Sequence, residues 1–98
     1  MKNLVIERYN INHSSKIPLK IPKGAKLLSV EADKWHYYVH AIVDLNTSQT
    51  EKYYFKIYSL GSTFKTQIQI DGYSYLGSAP TSFGGVNRVI HVFYSKSE

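Results

Sequence analysis

The chain has 98 residues, a net charge of +5, 43% hydrophobic residues and no cysteine. This length predicts a single domain over residues 1–98, and the composition is that of a globular protein. Without cysteine, a disulfide framework, a thiolate metal site and a cysteine nucleophile are all excluded. No signal-peptide core and no apolar run of membrane-spanning length occurs, so we expect a soluble protein of the cytoplasm with no membrane partner.

Short strands separated by turns are predicted for the first part of the chain. Leu4–Ile11 is the first strand and Lys16–Ile21 the second. Pro18 and Pro22 make the second an edge strand, because proline cannot donate to a sheet ladder. Pro22-Lys23-Gly24 predicts a type I turn with the proline at its second position. The third predicted strand is Leu28–Ala32, and we expect Leu28, Val30 and Ala32 to face the core.

Alternation of apolar and polar side chains is clearest in two adjacent runs, Trp35–Asp44 and Lys52–Ser59. Successive side chains of a strand point to opposite faces, so this period of two predicts half-buried strands. We expect the two strands to form one hairpin with Asp44 opposite Lys52. That register makes three further pairs: Ile42 with Tyr54, His40 with Lys56, and Tyr38 with Tyr58. The core side then carries Trp35, Tyr37, Val39, Ala41, Val43, Tyr53, Phe55 and Ile57.

Two glycine-containing turns organise the last part of the chain. Asp71-Gly72 predicts a hairpin between residues 67–70 and 73–76. Gly84-Gly85 predicts a second hairpin before a final strand, Arg88–Tyr94, whose apolar residues on both faces indicate a central position in a sheet. Together the pattern predicts an all-β fold, a small single-domain antiparallel β-sandwich or partly closed barrel of about six to eight short strands.

The face turned away from the core carries the candidate binding residues. They are aromatic and basic rather than plainly charged: His36, Tyr38, His40, Tyr54, Lys56 and Tyr58. Such a surface could form the centre of a protein contact, where tyrosine is enriched, or stack bases and hold phosphates. It could equally be covered by another segment of the domain, or be an ordinary solvated sheet face. The sequence leaves these alternatives open.

Metal binding and catalysis are not predicted. His36 and His40 have a spacing that brings two imidazoles together on a helix, but on a strand it separates them by roughly 13 Å, too far for one ion. No nucleophile elbow or paired carboxylates occur, and His91 in the closing strand fits a hydrogen-bonded structural role. We therefore expect a protein that is not an enzyme and holds no cofactor.

Short motifs follow one another in order between about Lys16 and Tyr94. They are Ile21-Pro22-Lys23-Gly24-Ala25, Ala41-Ile42-Val43-Asp44, Phe55-Lys56-Ile57-Tyr58, Tyr75-Leu76-Gly77-Ser78 and Ile90-His91-Val92-Phe93. In this order they resemble a family of small uncharacterised proteins encoded by bacteriophages and prophages, which share an aliphatic-Pro-x-Gly-Ala opening and a His-Val-Phe ending. Such relatives place a Gly-Thr-Gly-His run where this chain has residues 59–62, so any role of that histidine is missing here.

The resemblance implies a context inside a bacterial host. Small phage proteins of this kind often bind and disable a host factor, so we expect a non-catalytic binding protein that occupies or inhibits a host protein, in host takeover or counter-defence. The alternative is a nucleotide-binding sponge protein that sequesters a host signalling nucleotide as a homo-oligomer, with its pocket made at the interfaces. Self-association is compatible with both functions.

Overall fold

Seven β-strands and no helix make up the part of the chain that this computed structural model describes. That part comprises residues 3–12, 16–33, 35–59, 72–83 and 86–96. The strands are β1 (Leu4–Asn10), β2 (Leu19–Pro22), β3 (Lys26–Ala32), β4 (Tyr37–Asp44), β5 (Thr50–Ser59), β6 (Ser74–Phe83) and β7 (Val86–Ser95). Within these ranges no helix is long and apolar enough to cross a membrane.

The strands form two antiparallel sheets that pack as a sandwich. One has three strands in the order β1-β4-β3, and the other has four in the order β2-β5-β7-β6. The predicted all-β sandwich is therefore confirmed. Two finer predictions are also confirmed, because β2 lies at an edge and β7 lies between β5 and β6.

The core fills the space between the sheets and draws on both of them. Its buried apolar side chains are Ile11, Ile21, Val39, Ala41, Val43, Tyr53, Phe55, Ala79, Ile90 and Val92. On β4 and β5 every one of these residues was assigned to the core side by the alternation, and Tyr37 and Ile57 of the same side are partly buried and pack against the core. The two sheets approach each other closely where β3 faces β6, since a Cβ built on Gly77 of β6 would lie 3.6 Å from Val30 Cγ2 of β3. The period of two thus identified the buried faces of both strands.

The predicted hairpin between β4 and β5 is wrong. Leu4 of β1 lies opposite Asp44, and β3 pairs with the other edge of β4, while β5 pairs with β2 and β7. Both edges of each strand are occupied, and residues 45–49 carry the chain from one sheet to the other. Alternation specifies the face that a side chain occupies, but it does not specify the neighbouring strand. The predicted pairs of Ile42 with Tyr54, His40 with Lys56, and Tyr38 with Tyr58 therefore do not form.

Two side chains that were expected in the core lie outside it. Trp35 is 59% exposed because β4 begins only at Tyr37. The carboxylate of Asp33 accepts the backbone N–H of Trp35 at 3.1 Å, and this turn interrupts the alternation. Leu28 is 39% exposed because the register of β3 shifts there, and the bulge brings Leu27 to the core side instead.

The turn that follows β2 also differs from its prediction. Ala25 N donates to Pro22 O at 3.2 Å, so Pro22 is the first turn residue rather than the second. Gly24, the third residue, has φ +85°. A positive φ at that position excludes type I and is the mark of a type II turn.

We expect Gly24→Ala to lower the free energy of unfolding by about 1–2 kcal/mol, because an L-residue is strained in the left-handed region. A Cβ built on Gly24 meets nothing within 4 Å, so the cost is one of backbone conformation. Gly77→Ala is the control, because its Cβ makes an ordinary contact, and it should change stability by less than about 0.5 kcal/mol. Urea unfolding of both variants tests this, and equal costs would contradict it.

The two glycine-containing turns near the C-terminus are only partly described. Phe83 lies opposite Val86, which confirms the hairpin that Gly84-Gly85 predicts. Of the Asp71-Gly72 hairpin, Gly72 has φ +80° and β6 follows it. The first predicted strand of that hairpin, residues 67–70, lies outside the described residues.

Candidate functional site

The six predicted site residues divide into two groups on opposite outer faces of the sandwich. His36, Tyr38 and His40 belong to the three-stranded sheet, with His36 in the turn before β4. The other three, Tyr54, Lys56 and Tyr58, project from β5 on the far side of the four-stranded sheet. The sequence prediction of a single surface made of all six is therefore wrong, because β4 and β5 are not neighbours.

The three predicted residues on the three-stranded sheet are linked to one another through Arg8 of β1 and Glu31 of β3. The Arg8 guanidinium lies 4.2 Å from the centre of the Tyr38 ring, and Arg8 Nη1 is 3.5 Å from Glu31 Oε2. His40 Nε2 lies 2.7 Å from the other oxygen of the same carboxylate. The His36 ring stacks on Tyr38 with centroids 6.2 Å apart. The Glu31 carboxylate thus lies against both the Arg8 guanidinium and the His40 ring, and it offsets the charge of Arg8.

The turn before β4 is organised by one carboxylate. Asp33 Oδ1 accepts the backbone N–H of Trp35 at 3.1 Å and that of His36 at 2.9 Å. These two bonds favour the charged carboxylate and hold the pKa of Asp33 below its ordinary value. The turn fixes where β4 begins and so decides that Tyr38 and His40 point outward.

The second group lies within a larger aromatic surface. Residues directly opposite one another in a sheet share a face, and Lys56 lies opposite Phe93, while Tyr58 lies opposite His91. Tyr75 of β6 lies opposite Phe93 on its other side. We call the resulting surface the aromatic face and define it as Tyr54, Lys56, Tyr58, Tyr73, Tyr75, His91 and Phe93.

The rings of the aromatic face pack against one another around Phe93. Tyr58 meets Phe93 with centroids 6.1 Å apart at 75°, and Tyr75 meets it at 5.3 Å and 63°, both edge to face. Tyr75 Oη lies 2.9 Å from His91 Nδ1, which supports the structural role expected for that histidine. Lys56 Nζ lies 4.5 Å above the centre of the Tyr73 ring. These contacts hold the rings in fixed positions before any partner arrives.

Positive charge extends the aromatic face, and within the described ranges no acidic residue belongs to it. Lys20 and Lys52 lie opposite each other where β2 joins β5. Glu51, the nearest acid along β5, points elsewhere: its Oε1 accepts the backbone N–H of Gly24 at 3.2 Å and its Oε2 lies 3.6 Å from Lys96 Nζ. The surface therefore combines aromatic rings with lysines, and no described acidic side chain is a member of it.

Sequence reasoning missed Tyr73, Tyr75, His91 and Phe93 as members of the site. The signal was present in β7, where His91 and Phe93 alternate with the buried Ile90 and Val92. Their relation to Lys56 and Tyr58 depends on β5 pairing with β7, which are distant in sequence. Among the residues that the structure describes, no group of three acidic or histidine side chains could hold a metal ion.

A family model described as a domain of unknown function (DUF7352) matches residues 2–98, and the chain belongs to this family. No curated protein and no solved structure matches the chain. The family description says nothing of a source or an activity, so the resemblance to phage-encoded proteins stays a prediction.

Proposed function

We propose that this DUF7352 domain is a non-catalytic binding protein that covers the surface of a partner protein with its aromatic face. One observation carries the proposal: seven aromatic and basic side chains, six on β5, β6 and β7 and Tyr73 just before β6, form a continuous outer surface, and no described acid interrupts it. A sheet face of this composition has the chemistry of an interface centre.

The preorganised rings favour binding to a protein surface. Tyrosine presents a large, rigid, amphipathic area with only two side-chain torsions to order. Tyr58 and Tyr75 are already held against Phe93, so little conformational entropy remains to be lost when a partner binds. Tyr75 is 54% exposed and can contact a partner directly. The rings therefore supply the apolar centre of the proposed contact.

The lysines define what the partner must offer. Lys56 lies within the ring cluster and the pair Lys20 and Lys52 lies beside it, so the complementary surface should carry carboxylates opposite them. Charges at the rim of an interface act mainly on the association rate, which salt then reduces. A partner with an acidic rim around an apolar patch fits these requirements.

A second part of the proposal concerns the identity of the partner and the compartment in which it is bound. We propose that the partner is a host protein in a bacterial cytoplasm and that the domain inhibits it, on the strength of the phage-type motif order alone. Self-association through the same face is a competing use of the surface. Light scattering after size exclusion separates a monomer, which keeps the face available, from a dimer, which would cover it.

Tyr58→Ala tests the proposed face, and Tyr38→Ala is its matched control. Each tyrosine is half-buried on an outer sheet face, but they lie on opposite sides of the sandwich. With tagged protein as bait in a bacterial lysate, Tyr58→Ala should weaken capture of the main partner by roughly 30-fold, the effect of losing about 2 kcal/mol at an interface centre. Tyr38→Ala should capture it at the wild-type level.

Circular dichroism must show that both variants remain folded before the captures are compared. Loss of capture with Tyr38→Ala and retention with Tyr58→Ala would move the interface to the three-stranded sheet. Full capture by both variants would contradict the proposal.

A further inference from the structure

Strand β1 has an open edge on the side away from β4. It lies at one end of the order β1-β4-β3, and no other described strand runs along its outer side. Its ladder with β4 has a hydrogen bond at each end. Ile11 N donates to Tyr37 O at 2.8 Å. At the other end Leu45 N donates to Asn3 O at 2.9 Å.

These two bonds show which backbone groups of β1 face the open edge. Hydrogen-bonded pairs alternate with non-bonded pairs along an antiparallel ladder, so the odd-numbered residues of β1 bond to β4. The backbone N–H and C=O groups of the even-numbered residues therefore point outward, and no described residue bonds to them. These residues are Leu4, Ile6, Arg8 and Asn10.

The other edge strands of the two described sheets carry features that hinder pairing with a further strand. β2 contains Pro22 and follows Pro18, and β6 contains Pro80. Both β3 and β6 also have a shift in register. β1 has a regular register with β4 and contains neither proline nor lysine. Because proline, lysine and bulges are the usual protection of an edge, β1 is the described edge left open to strand addition.

Exposed apolar side chains lie along the same edge. Leu4 is 58% exposed and Ile6 is 65% exposed. Ile6 lies opposite Ile42 of β4, so both side chains belong to the outer face of the three-stranded sheet. An apolar strand with unpaired backbone groups is a template for another strand.

We propose that β1 pairs antiparallel with β1 of a second copy of this chain, with Ile6 opposite the partner's Ile6. The even-numbered residues then face one another, as the outward backbone groups require, and Leu4 lies opposite the partner's Arg8. Glu7 lies opposite the partner's Val5, so no like charges meet. A shift of two residues would place Glu7 opposite Glu7, and a shift of four would place Arg8 opposite Arg8. Charge therefore selects the register centred on Ile6.

This dimer goes beyond the protein contact proposed above, because it uses the other sheet and leaves the aromatic face uncovered. Opposite residues of paired strands share a face, so the two-fold axis runs perpendicular to the joined sheet. Both four-stranded sheets then pack on the same side of the joined sheet. The dimer would thus present two copies of the aromatic face in the same direction, which favours bivalent binding.

Sedimentation velocity between about 1 µM and about 1 mM protein tests the dimer. One short strand buries less than the roughly 1,200 Å² of a stable interface, so we expect a dissociation constant on the order of 0.1 mM. Ile6→Lys should weaken the dimer by at least roughly tenfold, because it places two ammonium groups opposite each other.

Ile17→Lys is the matched control for that variant. Ile17 is 70% exposed and lies outside β1, so this variant adds the same charge and should dimerise like the wild type. Circular dichroism must show that both variants are folded. A wild-type protein that stays monomeric over the whole range, or an Ile6→Lys dimer as tight as the wild type, would overturn the proposal.

Single cysteines test the register in a chain that has none. Hydrogen-bonded opposite positions lie about 5.5 Å apart between Cα atoms, which a disulfide can bridge. Under mild oxidation Ile6→Cys should form a covalent dimer at least roughly tenfold faster than the equally exposed Ile17→Cys, because pairing raises the effective concentration of its two thiols. Equal rates would overturn the pairing of Ile6 with the partner's Ile6.

Tyr58→Ala distinguishes this dimer from self-association through the aromatic face. Tyr58 belongs to the four-stranded sheet, so this variant should dimerise like the wild type while it loses its protein partner. Ile6→Lys should do the reverse, remaining monomeric while it still captures that partner. A dimer that is lost in folded Tyr58→Ala and kept in Ile6→Lys would place self-association on the aromatic face and overturn the proposal.

Discussion

Phe55→Ala should lower the free energy of unfolding by about 3–5 kcal/mol, the usual cost of truncating a buried phenylalanine to alanine. Phe55 is 1% exposed and its ring stacks on that of Tyr53 with centroids 6.1 Å apart. A domain of this size has a total stability of about 5–15 kcal/mol, so the variant would lose a large share of it. Urea unfolding followed by circular dichroism measures the change.

Phe93→Ala provides the matched control for that prediction. Phe93 belongs to the same sheet but projects from its outer face and is half-buried. Its truncation removes less contact area and leaves no enclosed cavity, so we expect a cost of about 1–2 kcal/mol. Equal costs for the two variants would show that the outer face is as enclosed as the core, which would remove the aromatic face as a binding surface.

The faces of the strands could be predicted from the sequence because a strand repeats every two residues. Val39, Ala41 and Val43 are buried while His40 and Ile42 between them are not, and the alternation requires this whatever the neighbouring strands are. The pairing of strands could not be predicted in the same way. β5 pairs with β7 although residues 60–85 separate the two strands, and no local turn indicates that pair.

Local irregularities account for the other differences. Trp35 was expected inside because it continues the apolar spacing of β4, but the two hydrogen bonds to Asp33 end the extended backbone before it. Leu28 was expected inside because the spacing in β3 has no visible interruption, although a bulge adds one residue there. A bulge changes which residues point inward without changing composition, so a single sequence does not reveal it.

Half of the candidate site could be predicted for the same reason. Tyr54, Lys56 and Tyr58 do lie together on one outer face, since they share a strand. Phe93 and His91 belong to this surface because β7 pairs with β5. His36, Tyr38 and His40 do not belong to it, because β4 pairs with β1 in the other sheet. The chemistry of the surface was therefore visible in the sequence, whereas its membership depended on the topology.

Every conclusion about the site depends on the assignment of β4 and β5 to opposite sheets. The chain has no cysteine of its own, so engineered cysteine pairs test this assignment directly. Arg8 and His40 lie opposite each other, as do Lys56 and Phe93, and adjacent antiparallel positions fall within the Cα separation that a disulfide needs. Oxidised Arg8→Cys/His40→Cys and Lys56→Cys/Phe93→Cys proteins should each form an intramolecular disulfide. His40→Cys/Lys56→Cys should retain two free thiols, because sheets packed about 10 Å apart hold those positions beyond disulfide reach. An intramolecular disulfide in that third protein would join β4 to β5 and contradict the two-sheet arrangement.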